Sequence, residues 1–270
     1  MNNYIVTESS KNIRLLARQN MAGLWKSAIL AMAIYTICTS LPVVLLDQFF
    51  GVPYEELLGL EMYTSDMSGD KISAVSGIYT ILVTGAFTLG ITIFFIELIR
   101  NKKADLGHTF AGFEHFFKTL GLMVVIGIFT ALWSLLFIVP GIIAALRYSQ
   151  AFYILADDPN KGIMECINES KQMMKGNKSK YFCLGLSFIG WILLAGCFEG
   201  ACETIFDTML GSGFAYSILS FVTTAIATCG VTAYIYGAET IFYEMLNGNL
   251  RPASEYIPPL SFDNDNQEDL

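Results

Sequence analysis

Ionisable residues inside apolar runs are the features of this sequence whose types and spacing could support chemistry. Arg147 lies within "IVPGIIAALRYSQAFYILADDP" (138–159), and Glu199 and Glu203 lie within another apolar run. A charge in the hydrocarbon core of a bilayer costs at least about 2.5–3.5 kcal/mol, so each of these residues needs a partner or water. Matching their depths along two helices predicts an ion pair between Arg147 and Glu199, with Glu203 one turn further along the same face.

Two interpretations of this predicted pair stay open. In the first, the pair only pins two helices together, or Arg147 snorkels to the surface. In the second, Arg147 lines an outward-opening polar cavity with Tyr148 and Tyr153 and binds an anionic headgroup or a peptide, while Glu199 acts as a counter-ion.

Composition favours a polytopic membrane protein over a soluble domain. Hydrophobic residues make up 54% of the chain and charged residues only 15%, against about 45–50% and about 25% in soluble proteins. The six cysteines form no CxxC pair, and the two histidines complete no zinc-ligand pattern. Because nucleotide-binding, zinc-protease and nucleophile-elbow motifs are also missing, we expect no cofactor, no metal and no enzymatic activity.

Six segments are apolar and long enough to be transmembrane helices, since about 20 residues span the hydrocarbon core. Span 4 is the shortest and contains Arg147. The predicted spans are Trp25–Leu46, Ile72–Ile99, Thr119–Val139, Gly141–Ala156, Tyr181–Phe206 and Phe214–Leu246.

The distribution of charge predicts how the spans are threaded. Apart from Lys71 and Arg147, every lysine and arginine lies before span 1 or at its second residue (Lys26), between spans 2 and 3, between spans 4 and 5, or after span 6. Positive residues mark cytoplasmic flanks. The segment between spans 1 and 2 is instead acidic. We therefore predict six spans with both termini in the cytoplasm, in a bacterial cytoplasmic membrane.

Spans 3 and 4 must then form a hairpin, because the segment before span 3 and the segment after span 4 are both predicted to be cytoplasmic. Pro140-Gly141 is the predicted turn, since proline ends a helix and glycine tolerates turn dihedrals. A re-entrant hairpin is the alternative that we considered for this segment.

Amphipathic surface helices are predicted in the lead (8–24), at 106–117 and at 159–176. The last follows Asp157, with Asp158 as its cap, Pro159 in its first turn and Gly176 at its end. Such basic helices bind anionic inner-leaflet lipids. Residues 1–250 thus form one six-helix domain, followed by an acidic, disordered cytoplasmic tail (251–270).

Several stretches resemble a known family. The run 138–159, then "INESKQMMKG", then "YFCLGLSFIGWILL" with Trp191 are similar to the central signature of the bacterial membrane proteins of domain of unknown function 975. The segments "LLARQNMAGLWKSAI" and "YIYGAETIFYEML" resemble its beginning and end. The resemblance implies a six-helix membrane bundle and no assigned activity.

Three functional hypotheses follow from the sequence. The first is non-enzymatic handling of an amphiphilic ligand, a lipid or peptide, alone or as an accessory to a transporter. The second is a membrane scaffold that recruits partner proteins. The third is an intramembrane enzyme acting on lipid headgroups, for which the sequence shows no catalytic cluster. No nucleic-acid partner is expected.

Overall fold

The chain folds into helices joined by short turns. The computed structural model describes residues 4–53, 71–103, 105–211 and 213–250. The acidic loop between spans 1 and 2 and the predicted tail lie largely or wholly outside these residues. The elements in chain order are α1 (Ser10–Asn20), α2 (Trp25–Phe50), β1 (Val52–Pro53), β2 (Lys71–Ile72), α3 (Ala74–Asn101), a 3-10 helix (Leu106–His115), α4 (Phe116–Leu136), α5 (Ile138–Tyr148), α6 (Ala151–Asp157), α7 (Ile163–Met173), α8 (Lys178–Leu186), α9 (Ile189–Leu210) and α10 (Phe214–Leu246).

The described residues include six helical segments that are long and apolar enough to cross a membrane. The predicted all-α, six-span fold is therefore confirmed. β1 and β2 form only a two-residue antiparallel ladder, in which Val52 is paired with Ile72. The six segments are Trp25–Phe50, Ala74–Asn101, Leu106–Leu136, Ile138–Asp157, Lys178–Leu210 and Phe214–Leu246.

The spans are arranged as three helical hairpins, each preceded by a shorter helix. α2 pairs with α3, α4 with α5, and α9 with α10. The 3-10 helix packs on α3, α7 packs on α5 and α6, and α1 closes the bundle by packing on α10. All three short helices lie at one end, which also carries most of the lysines and arginines. We call it the basic end; the far end holds the connections α2–α3, α4–α5 and α9–α10.

The turn between spans 3 and 4 lies slightly before the predicted position. Phe137 is extended and separates α4 from α5, whereas Pro140 is the third residue of α5. Proline is tolerated there because the first N–H groups of a helix have no intrahelical acceptor. Gly141 faces the other leg of the hairpin, where an added Cβ would clash with Ser134. Its role is therefore close packing of α4 against α5, and not the turn itself.

A single guanidinium joins three helices at the basic end. Arg100, near the end of α3, donates from Nη1 to Asp157 Oδ1 (2.6 Å) and from Nε to Glu244 Oε1 (2.9 Å). The Tyr243 hydroxyl donates to Asp157 Oδ2 (2.7 Å), as does the Asn247 amide (3.1 Å). We call this group the Arg100 clasp. It fixes the ends of α3, α6 and α10, and therefore the point from which the chain continues towards α7.

The connections α1–α2 and α7–α8 have the same backbone structure. Each short helix has 11 residues and is followed by a buried methionine at its C-terminal cap, Met21 or Met174, and these two residues are 153 positions apart. At that same offset the turn hydrogen bonds coincide, including Leu24 N to Met21 O and Asn177 N to Met174 O. The glycines Gly23 and Gly176 also correspond, and both adopt positive φ (79° and 91°).

The first prediction concerns the close approach of α3 and the 3-10 helix. An added Cβ on Gly90 would clash with the Thr109 carbonyl, whereas one on Gly77, in the same helix, has no atom within 4 Å. We expect Gly90→Ala to destabilise the fold by about 1–3 kcal/mol through overpacking. Gly77→Ala is the matched control and should be neutral or slightly stabilising. Thermal unfolding in detergent, followed by circular dichroism, measures both, and equal unfolding temperatures for the two variants would contradict the packing shown.

The second prediction concerns the Arg100 clasp. Arg100→Met leaves the Glu244 carboxylate, which is 2% exposed, without its cation. Breaking such a pair costs about 3–5 kcal/mol, so the unfolding temperature in detergent should fall clearly. Adding Glu244→Gln should recover part of the loss, because the buried charge is then gone. Lys103→Met removes one charge from the same connection and should have little effect. If the double variant is no more stable than Arg100→Met, the clasp does not act as described.

Candidate functional site

Arg147 lies in an open groove of about 550 Å³ at the basic end. Four cationic side chains line this groove together with three aromatic ones. None of the described residues that line it carries a carboxylate. The lining residues are Phe129, Trp133, Arg147, Tyr148, Lys171, Lys175 and Lys178. We call it the basic groove.

The end of α5, which carries Arg147, is held in place by a serine of α7. Between α5 and α6 the helix is interrupted at Ser149 and Gln150. The Ser170 hydroxyl on α7 donates to the Arg147 carbonyl (2.8 Å) and accepts from the Gln150 N–H (3.2 Å). Ser170 is fully buried. Because a buried backbone group without a partner is costly, this hydroxyl fixes α7 against the interruption and hence beside Arg147.

The three lysines come from the end of α7, the following turn and the start of α8. All three line the groove, so they lie on the same side of this helix–turn–helix segment. The Lys171 ammonium lies over the Tyr148 ring, 5.7 Å from its centroid. Tyr148 itself is buried, and its ring is 6.1 Å from that of Phe129. Aromatic rings thus form the floor of the groove, and positive charges form its rim.

The groove continues along the hairpin as apolar surface. Trp133, one turn beyond Phe129 on α4, is half-exposed. Beyond it, the tip of the hairpin is strongly exposed, with Leu135 at 85%, Phe137 at 72% and Ile138 at 78%. A ligand that combined a charged group with an apolar chain would find a matching surface for each part.

The predicted ion pair between Arg147 and Glu199 is not formed in the described part of the chain. Glu199 on α9 instead accepts a hydrogen bond from the Thr224 hydroxyl on α10. From Lys178, which lies beside Arg147, Glu199 is 21 residues further along α8 and α9, or about 30 Å at helical rise. Arg147 is therefore not at the depth of Glu199. Glu203 is partly buried one turn beyond Glu199.

The residues predicted to start the surface helix form the turn that precedes it. Asp157 belongs to the Arg100 clasp, and the Asp158 carboxylate accepts from the Asn160 N–H (3.1 Å). The Pro159 carbonyl accepts from Lys118 Nζ on α4 (2.6 Å). Helix α7 therefore begins at Ile163, after Gly162, and not at 159. Gly176 has the left-handed conformation expected after a helix, two residues beyond the cap at Met174.

Two ionisable groups of this segment have shifted pKa values. Burial tends to lower the pKa of Lys161, but a hydrogen bond and the charge of Glu169, 2.7 Å away, raise it overall, so Lys161 keeps its charge. Burial raises the pKa of the Cys166 thiol, and all six cysteines are free. Cys166 thus packs as a small apolar residue and lacks thiolate character.

Trp191 lies on α9, is half-exposed, and does not line the groove. The described residues contain no group of three or more histidine, cysteine, aspartate or glutamate side chains that could hold a metal. Of the residues predicted to bind a ligand or to pair helices, Arg147 and Tyr148 line the groove, whereas Glu199 and Glu203 do not.

Sequence reasoning missed Lys171, Lys175 and Lys178 as site residues. It used them only to orient the spans and to define the polar face of a surface helix. The spacing of four residues between Lys171 and Lys175 was a usable signal for two charges on one face, whereas Lys178 lies beyond the turn at Gly176, and helical spacing could not place it. The aromatic residues of α4 had no comparable signal, since they are typical of a membrane helix.

Comparison with family models gives one match, to "Protein of unknown function (DUF975)", over residues 1–146 and again over 135–249. No curated protein matches the chain, and no solved structure does. The two matched segments together extend from the lead through α10. The resemblance seen in the sequence is thus confirmed, and the chain belongs to the DUF975 family of proteins of unknown function.

Proposed function

We propose that this protein binds an anionic amphiphile, with the charged headgroup in the basic groove and the apolar chain along the α4–α5 hairpin. The observation that carries the proposal is the lining of the groove by one arginine, three lysines and three aromatic residues. The positive charges of Arg147, Lys171 and Lys178 repel one another across this groove, and a bound anion would offset that repulsion. The adjoining exposed apolar surface favours an amphiphile over a small soluble anion.

The proposed role is binding and not catalysis. Within the described residues, the lining of the groove includes no carboxylate, histidine or cysteine that could act as acid, base or nucleophile. The proposal leaves room for action alone or as an accessory to a transporter. It also places the basic end on the cytoplasmic side of a bacterial membrane, facing anionic lipid headgroups.

The third prediction tests Arg147 directly. Trp133 lines the groove, so a lipid with a spin label near its headgroup should quench the fluorescence of Trp133 when it is bound. The measurement uses the full chain in detergent with Trp25→Phe and Trp191→Phe, titrated with spin-labelled phosphatidylglycerol. We expect Arg147→Gln to weaken apparent binding about fivefold, because one charge near a lipid surface contributes about 1 kcal/mol.

The matched control is Lys103→Gln, which also removes one positive charge but from an exposed residue that does not line the groove. It should leave the titration unchanged. Spin-labelled phosphatidylcholine should quench weakly in all variants. Identical curves for the Arg147 and Lys103 variants, at equal folded content, would argue against headgroup binding in the groove.

A further inference from the structure

A carboxyl group without a cationic partner lies between three helices near the basic end. Glu239 is on α10, about 10 Å at helical rise before the last residue of that helix, Leu246. The Tyr181 hydroxyl on α8 donates to Glu239 Oε1 (2.9 Å). Within the residues that the structure describes, no lysine, arginine or histidine forms an ion pair with Glu239. It thus differs from Glu244, whose charge Arg100 balances in the clasp.

The titratable groups that face Glu239 are tyrosines. Its charge acts on Tyr181 of α8, Tyr153 of α6 and Tyr236 of α10 itself. From α2, Tyr35 interacts with Tyr236. Charged groups on the other helices packed against α10 bind other partners: Arg14 and Arg18 on α1, Arg100 on α3 and Glu199 on α9 contact Ser187, Tyr234, Glu244 and Thr224, respectively.

One of these tyrosines has a hydroxyl without a partner. Tyr153 is 4% exposed, and its hydroxyl makes no hydrogen bond in the described part of the chain. The Thr240 hydroxyl is close to it but donates to the Tyr236 carbonyl (2.8 Å). Because an unsatisfied buried hydroxyl is costly, Tyr153 needs a further hydrogen-bonding partner.

We propose that Glu239 is a proton-binding site, which takes up and releases its proton near neutral pH. A carboxylate offers about four lone-pair sites, and this one accepts a single hydrogen bond, whereas a neutral carboxyl group also donates. The proton joins the oxygen that Tyr181 leaves free, and the resulting O–H supplies the missing partner of Tyr153. This site is separate from the basic groove, and the inference does not rest on the ligand proposed there.

Hydroxyl groups connect Glu239 with the basic end, from which a proton could arrive. The Ser149 side chain interacts with the Tyr181 hydroxyl and accepts from the Gln150 amide (3.0 Å). Ser149 directly follows Tyr148, which lines the open groove. The helix interruption between α5 and α6 therefore places a polar side chain between the groove and the glutamate.

These surroundings suit a proton better than a metal cation. Hard metal cations take about six or more oxygen ligands. The described residues offer one carboxyl group and the hydroxyls of Tyr153 and Tyr181. The interruption adds no free carbonyl from Leu146 or Arg147, because the hydroxyls of Ser149 and Ser170 already donate to them.

The fourth prediction concerns the infrared spectrum of the full chain in lipid nanodiscs. A protonated carboxyl group has a carbonyl band that a carboxylate lacks, and exposed aspartate and glutamate are ionised at neutral pH. As the pH falls from alkaline to neutral, the wild type should gain a carbonyl band that is absent from Glu239→Gln. Glutamine keeps an oxygen that can accept from Tyr181. Tyr181→Phe should retain the band at a higher frequency, because the carbonyl then accepts one hydrogen bond fewer.

Two matched controls separate this band from general effects of substitution. Glu114→Gln removes an exposed carboxyl group. Tyr79→Phe removes a hydroxyl that donates to the Cys38 carbonyl on α2. Neither variant should change the band.

Identical spectra of wild type and Glu239→Gln at every pH would overturn the inference. So would loss of the band when sodium chloride replaces choline chloride at constant pH, because a metal cation would then displace the proton. If Glu239→Gln does not fold, the comparison of Tyr181→Phe with Tyr79→Phe still decides, since an unshifted band would mean that Glu239 is not its source. None of these results depends on lipid binding in the basic groove.

Discussion

The Arg100 guanidinium is the interaction on which the arrangement of the basic end depends. It binds Asp157 and Glu244, and so joins the last turns of α3, α6 and α10. In a bilayer, the packing of apolar helices gains little from the hydrophobic effect, because lipid tails are as apolar as the side chains. Polar contacts at the helix ends can therefore decide which spans are neighbours. Since Glu244 is almost fully buried, the fold is strongly biased towards keeping this cation in place.

The clasp also explains how a groove can form on the outside of the bundle. Once α6 is fixed at Asp157, the short turn through Pro159 directs α7 back along the α4–α5 hairpin. Ser170 then meets the helix interruption at Gln150 and satisfies a backbone N–H and a carbonyl that the interruption leaves free. These hydrogen bonds to the backbone thus hold the lysines of the α7–α8 turn beside Arg147, although the positive charges repel one another. The anion that we propose for this groove would offset the electrostatic cost of bringing these positive charges together.

The sequence allowed the six spans to be predicted because their signal is local: an uninterrupted apolar run of sufficient length. The boundaries moved by a few residues where short polar contacts decide them. Asp158, for example, caps a turn and not a helix, and the break between α4 and α5 lies at Phe137 and not at the predicted Pro140-Gly141. Arg147 was singled out as a charge in an apolar run, but its predicted partner, Glu199, hydrogen-bonds to Thr224 instead. Counting residues along a helix predicts only the depth of a side chain in the membrane. Whether Glu199 or the lysines lie beside Arg147 depends on which helices are neighbours, and a single sequence does not reveal this.

The comparison of the two turns separates what the fold needs from what the groove adds. Met21 and Met174 are buried alike, and Gly23 and Gly176 share a left-handed backbone, so these positions carry the structure of the turn. The two differing side chains of the α7–α8 turn, Lys175 and Lys178, line the groove. In the α1–α2 turn the corresponding surface is closed by an aromatic ring, whereas in the α7–α8 turn it stays open and positively charged. The same local fold therefore carries an aromatic ring in one hairpin and the basic rim of the groove in another.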